Sequence, residues 1–273
     1  VAGNVTEDRT PDGAWAPGGP SLYTARMAAS LGARVALITT LSPSYDRSVL
    51  AGIELHAQPC DLPPRYANAY APNGDRTQLL LAPGDTLELD GPLASLGSAD
   101  ALILAPAYHE FERPPVTDIP LVAVSLQGPL RTTNARGEVL PAADPPRIAD
   151  RFVRAGWFAF FSEEDTPDSE GLAKHVSDSG ATAVLTRGYR GATLFAPRSQ
   201  PVHWDAITAN PADPTGAGDC FSTAFIVRLA ETRDIAAATA FALAAGSLAV
   251  EAPGLAGIPA RPEIEARLAR EAA

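Results

Sequence analysis

The chain predicts an α/β fold built on a mainly parallel sheet, and three observations carry that prediction. Short apolar runs alternate along the sequence with amphipathic or Ala-rich stretches, the runs are continuous rather than alternating with polar residues, and Pro clusters separate them. Continuous apolar runs are what strands need when helices cover both faces of their sheet. Val35–Ile38, Ala101–Leu104, Leu121–Val124, Trp157–Phe160 and Ala183–Leu185 read as such strands. Leu22–Leu31, Arg147–Arg154, Glu170–Ser179 and Ile235–Val250 read as the helices between and after them, and the Pro pairs at 63–64, 114–115 and 145–146 mark loops. Tyr66–Tyr70 and Arg76–Leu81 break the βα rhythm. They flank Ala71-Pro72-Asn73-Gly74-Asp75, whose Asn-Gly pair signals a hairpin turn, so residues 62–82 form the candidate lid.

Length and composition bound the function. With 273 residues and 46% apolar content, one domain spanning 1–273 can bury a sizeable core. A net charge of −11 argues against a nucleic-acid partner, which a basic face would serve. Lys174 is the sole lysine and stands in no Gly-rich phosphate loop, so a Walker-type site is excluded. The longest nearly apolar stretch, 235–250, is shorter than a membrane span and reads as a core helix. Cys60 and Cys220 are too few for a disulfide framework, which points to a reducing cytoplasmic setting. No charged-then-apolar leader opens the chain, which starts at Val1; Val1-Ala2-Gly3 reads as the tail of a first strand, with a few apolar residues expected upstream.

The chemistry concentrates in Asp213-Pro214-Thr215-Gly216-Ala217-Gly218-Asp219-Cys220-Phe221. Beyond it Phe221, Ala224, Phe225, Ile226, Leu229 and Ala230 recur at helical spacing, so Gly216–Asp219 form the first turn of a buried helix. Unpaired N–H groups and about half a unit of positive charge at that helix end suit an anion. Small residues leave the anion room to approach, and Asp219 stands beside it as a candidate base. Read alone, Asp219 could equally complement the helix dipole.

This stretch resembles the C-terminal signature of the PfkB family, the ribokinase-like carbohydrate and nucleoside kinases. Gly3-Asn4-Val5-Thr6-Glu7-Asp8 followed by Gly18-Gly19 is similar to the family's opening strand, substrate-binding Asp and Gly-Gly pair. Gln127-Gly128-Pro129-Leu130-Arg131 resembles its QGxxR segment, and Thr186-Arg187-Gly188 with Gly191 its nucleotide-side turn. The resemblance implies a ribokinase-like three-layer sandwich with a small β-lid. The lid is expected to be reduced, since only Arg9–Pro17 separate Asp8 from Gly18.

By the same resemblance, Asp219 is the base and Gly216, Ala217 and Gly218 the anion hole. Asp8, Gly18, Gly19, Tyr23, Gln127 and Arg131 meet the substrate, while Thr186, Gly188, Gly191, Ser162 and Leu243 line the nucleotide side. Glu164 and Asp165 stand where the family holds magnesium through water, and Asp213 and Thr215 where it binds a monovalent cation such as K⁺. The implied activity is Mg²⁺-dependent transfer of the γ-phosphate of ATP to a hydroxyl of a small sugar or cyclitol, by a monomer or homodimer. Nucleoside phosphorylation and ligand binding without turnover are the alternatives. Tyr23 replaces the Asn that many sugar kinases of the family carry after the Gly-Gly pair, and Leu243 replaces an Asn near adenine. The Gly18–Tyr23 pattern looks most like the branch that includes myo-inositol kinases.

Other features have plain readings at this stage. Asp8 could be a turn or cap residue, the Gly pairs simple turns, and Glu164-Asp165 an acidic helix start. His109-Glu110 reads as an ordinary loop pair and Cys220 as a small buried residue.

Overall fold

The computed structural model describes residues 1–10, 12–70 and 76–271. Its centre is a six-stranded sheet of β7 (Ala101–Leu104), β8 (Leu121–Ser125), β11 (Phe158–Ser162), β12 (Thr182–Thr186), β13 (Ala192–Phe195) and β14 (Val202–Trp204), in the order β14-β13-β12-β11-β8-β7. The four from β7 to β12 run parallel, and β13 and β14 continue as an antiparallel meander. A parallel pair, β3 (Ala36–Leu41) and β4 (Glu54–Pro59), joins this sheet through Ala2, which bridges Ile38 on one side and Leu104 on the other.

The period of two along each strand explains the continuous apolar runs. Val122, Val124, Ala159, Phe161, Ala183 and Leu185 face one core, against α3 (Pro145–Phe152) and α4 (Ser169–Asp178). Ala123, Phe158, Phe160 and Val184 face the other, against α5 (Ala217–Thr232) and α6 (Ile235–Ala249). Each strand is therefore dry on both faces. The helix start signals are legible: Asp144, Asp168 and Asp234 each cap a helix by accepting backbone N–H groups. The long apolar segment is α6, packed between α5 and α7 (Arg261–Glu271). Among the described residues no helix is long and apolar enough to cross a membrane.

A second, four-stranded sheet stands at the mouth of the cleft. It contains β1 (Thr6–Arg9), β2 (Trp15–Gly18), β5 (Arg65–Tyr70) and β6 (Arg76–Ala82), in the order β2-β1-β5-β6. The predicted lid hairpin is β5–β6, while its Asn73-Gly74 turn lies outside the described residues. The strand carrying Asp8 belongs to this lid, folding back on β2 as a short hairpin and pairing in parallel with β5. Glu7 and Arg65 tie those neighbours at 2.7 Å, and the Arg65 guanidinium stacks 4.4 Å from the Trp15 ring centre. A ribbon of β9 (Arg131–Thr133) and β10 (Val139–Pro141) meets β6 through the Leu79–Glu138 bridge. α1 (Pro20–Ser30) follows directly from Gly19 and packs on α5, while α2 (Asp90–Ser95) is short and sends Leu93 to the first core.

Candidate active site

Parallel α/β sheets bind ligands beyond the carboxyl ends of their strands, and the site follows from that rule. The ends of β8, β11 and β12 deliver Ser125, Ser162 and Thr186 to one cavity of about 560 Å³. The start of α5 supplies Gly216, Gly218 and Asp219, α1 supplies Tyr23, and the lid closes the far side with Thr6, Asp8, Tyr66 and Gln78. Val139, Leu140 and Pro141 of the ribbon complete the wall.

Glycine decides two of these placements. Gly18 packs so tightly on β1 that a side chain there would collide with Asp8 Oδ2, and Gly19, at φ 95°, would meet Thr6. The pair thus makes room for the Asp8 carboxylate and turns the chain into α1. Gly216 caps α5 at φ 78°, and any side chain on it would strike the Tyr23 ring. Tyr23 is itself 5% exposed, so the ring acts as a wall behind the α5 turn.

The N–H groups of that turn are not all directed at the cavity. Ala217, expected in the anion hole, donates to the Pro214 carbonyl at 3.2 Å and contributes no cavity surface. The donors left without intrahelical partners at the second and third helical positions are those of Gly218 and Asp219, and both residues line the cavity. An anion seated there meets two N–H groups and the positive end of a 16-residue helix.

Burial lifts the Asp219 carboxyl from 3.8 to about 7, with the Arg131 guanidinium opposing the rise and the Asp165 carboxylate adding to it. A base poised there is half-ionised near neutral pH, which suits proton transfer. Stability should follow. Because the folded-state value is raised, the folded protein holds a proton that the unfolded chain releases above pH 3.8. Stability therefore falls as pH climbs from about 4 to about 7, by up to about 4 kcal/mol. Asp219→Asn should melt at nearly the parent temperature at pH 4 and higher than the parent at pH 8, by about 2–4 °C per kcal/mol recovered. Thermal melts of both proteins across that range read the difference directly.

Arg131 lies over the Tyr66 ring at 5.7 Å and close enough to Asp165 and Asp219 to favour their charged forms. Asp165 is turned inward, accepting the Ser162 N–H at 2.7 Å, with the Gln127 side chain near enough to favour its charged form. It braces Gln127 and Arg131 more directly than it offers a metal ligand. Glu164 is exposed at the cavity wall and is the freer carboxylate. Among the described residues no group of three or more His, Cys, Asp or Glu side chains forms a metal cage. A Mg²⁺ here would therefore be held by Glu164, water and the phosphates of a donor, an arrangement this ion accepts readily.

The remaining predicted residues fall outside the cavity or at its rim. Asp213 Oδ1 accepts the Thr215 N–H at 2.9 Å and Oδ2 the Gly254 N–H at 3.0 Å, pinning the loop before α5 to the turn after α6. Thr215 lines the cavity. Gly188 and Gly191 form the turn between β12 and β13, where a side chain on Gly191 would strike the Trp204 carbonyl, so its glycine serves the sheet. Leu243 packs into the second core instead of the cavity wall. Cys220 is buried, with its thiol pushed far up by burial and by Asp219. Sequence reading missed Tyr66, Gln78 and Thr6. Thr6 sits in the quoted Gly3–Asp8 segment, and its Oγ1 has no hydrogen-bond partner among the described residues.

Comparison with known proteins shows similarity in part of the sequence and in the fold. Residues 155–261 match the pfkB family carbohydrate kinase model, a stretch that holds β11 through α6 with Asp219. Ribokinase of Bacillus subtilis is 41% identical over 98 residues, 36% of this chain, and ribokinase of Arabidopsis thaliana 37% identical over 86 residues, 31% of this chain. The matched stretch spans only 32% of the former and 22% of the latter. Among solved structures, ribokinase of Thermotoga maritima superposes with a TM-score of 0.71 at 21% identity, covering 98% of both chains. A pyrophosphate-dependent kinase in the ribokinase family, complexed with a pyrophosphate analog and myo-inositol, superposes with a TM-score of 0.75 at 20% identity, covering 97% of this chain and 98% of that one. The fold, shared over nearly the whole length, is that of ribokinase, and residues 155–261 are similar to the pfkB family of carbohydrate kinases.

Proposed function

We propose that the chain transfers a phosphoryl group to a hydroxyl of a small uncharged polyol, a sugar or cyclitol, with Asp219 as the base. The observation that carries this reading is the meeting, in one cavity, of Asp219, the Gly218 turn of α5 and the hydroxyl-binding groups Asp8, Gln127 and Arg131. Phosphoryl transfer asks for positioning and for stabilisation of anionic oxygens more than for covalent chemistry. Asp8 orients the acceptor from the lid while Asp219 accepts the proton of the attacking hydroxyl. The N–H groups of Gly218 and Asp219 face the transferring phosphoryl oxygens. Mg²⁺ bound beside Glu164 would neutralise donor charge.

The charge of the cavity supports an acceptor without a phosphate of its own. Asp8, Glu164, Asp165 and Asp219 line it against the single guanidinium of Arg131, and this excess of carboxylates disfavours an anionic sugar. Tyr23, where the family's sugar kinases carry an amide, and the likeness to the myo-inositol complex favour a cyclitol.

ATP is bound with ribose in the structure of Arabidopsis thaliana ribokinase, and the inositol complex is that of a pyrophosphate-dependent kinase holding a pyrophosphate analog. The second donor is a specific alternative here, because of the five expected nucleotide-side residues Ser162 and Thr186 line the cavity while Gly188, Gly191 and Leu243 do not. One assay tests both points: Mg²⁺-dependent transfer from ATP and from pyrophosphate to myo-inositol, ribose, fructose, fructose 6-phosphate and adenosine. Transfer to a neutral polyol is expected. Preference for fructose 6-phosphate would overturn the charge argument, preference for adenosine would support the nucleoside alternative, and donor binding with no transfer would support a binding role without turnover. The same assay with K⁺ replaced by Na⁺ reports whether the Asp213–Thr215 loop responds to a monovalent cation.

A further inference from the structure

We infer that Glu110, which does not line the cavity, is a positioning residue that sets the acceptor half of the site by clamping two segments, at Asn4 and at Ala107–Tyr108, to one buried carboxylate. Its Oε1 accepts the N–H of Asn4 at 2.9 Å and of Ala107 at 2.8 Å, and its Oε2 accepts the N–H of Tyr108 at 2.8 Å. The residue is 3% exposed, and burial pushes the pKa of its carboxyl up against the pull of those three donors. A carboxylate is rarely placed so deep unless its hydrogen bonds are met.

Each of the clamped segments leads to the acceptor. Asn4 stands two residues before the strand that carries Thr6 and Asp8, and its side chain is fixed in turn by Thr40 and the Asp85 carbonyl. The Ala107 carbonyl receives the Tyr66 hydroxyl at 2.8 Å, and Tyr66 carries Arg131 over its ring. His109, beside the clamp, lies 2.7 Å from the Arg131 carbonyl. Gly128 packs so closely on Pro106 and Ala107 that a side chain there would collide with the Pro106 carbonyl. Asp8, Tyr66, Gln127 and Arg131 therefore take their places from the loop that Glu110 holds. Among the described residues, the donor end at Thr186 and α5 makes no such hydrogen bond with it.

The inference rests on the kinase reading, and its test separates the two. Glu110→Gln keeps shape and one acceptor oxygen but sets an amide against a backbone N–H that needs an acceptor. With the acceptor that wild type uses best in the panel above, KM for that acceptor should rise roughly tenfold, the equivalent of about 1.4 kcal/mol, while the donor KM stays within about twofold and kcat changes less than the acceptor KM. Hydrogen exchange should quicken at residues 4–8, 107–108 and 127–131 and stay unchanged at 186–191. Glu112→Gln, an exposed neighbour, should change neither. If Glu110→Gln does not fold, Glu110→Asp, which keeps the charge and shortens its reach, carries the same test. A fall in kcat with the acceptor KM unmoved, or exchange that quickens uniformly or nowhere, would overturn the positioning role. A wild type that phosphorylates no acceptor overturns the kinase reading instead, and the exchange pattern then decides the role of Glu110 alone.

Discussion

Asp219→Asn should lower kcat by roughly 10²–10⁴-fold, the contribution of a positioned general base, while leaving donor affinity nearly unchanged. Asn has almost the same shape, keeps the α5 turn intact and cannot take a proton from the acceptor hydroxyl. The pH dependence sharpens the test. Because burial raises the Asp219 carboxyl to about 7, wild-type turnover should climb with pH up to that value and level off above it; the Asn variant should lose that limb. A carboxylate present only to complement the helix dipole would give another result, a stability loss of about 0.3–1 kcal/mol with turnover intact. Rates measured from about pH 5 to 9, for both proteins, separate the two roles. The melts proposed above then give the opposite sign for stability, since the group that slows the variant also burdens the folded parent above neutrality.

Much of this was legible in the sequence, for reasons specific to particular residues. The parallel strands announce themselves because both faces of Val122–Val124 and Phe158–Phe161 are buried, so their burial leaves no polar beat in the sequence. The α5 turn is legible because Gly216, Gly218 and Asp219 are adjacent in the chain. What could not be read depends on contacts made across long separations. Glu110 reads as a surface loop residue until Asn4, 106 positions away, is seen donating to it. The pairing of β1 with β2 and β5, which puts Asp8 in the lid, leaves no periodic trace where β1 and β2 are only four residues long. Ala217 and Leu243 stand outside the cavity lining, which a motif does not announce because it gives order along the chain and not the direction of an N–H or a side chain. Gly191 was ambiguous for the same reason: its left-handed backbone is explained by the Trp204 carbonyl, which no local pattern reveals.

Gly216→Ala should be as damaging as loss of the base, by a different route. The residue sits at φ 78°, where an Ala is strained by roughly 1–2 kcal/mol, and its new methyl would occupy the space of the Tyr23 ring. Relief requires the ring or the turn to move. Tyr23 is buried between α1 and α5 among the carboxylates of Asp8, Asp213 and Asp219, so the turn should yield and carry the Gly218 and Asp219 N–H groups away from the transferring phosphoryl. Losing one such donor elsewhere costs about 10²–10³-fold in kcat, and a comparable fall is expected here together with a lower melting temperature. Combining Gly216→Ala with Tyr23→Ala distinguishes the two causes. Removing the ring abolishes the collision but leaves the backbone strain, so the double variant should be less destabilised than the sum of the single ones. If its kcat also recovers, the ring collision displaced the turn; if kcat stays low while stability returns, the left-handed glycine itself sets the anion site. Gly216→Ala with full turnover would show that the turn of α5 does not hold the phosphoryl group at all.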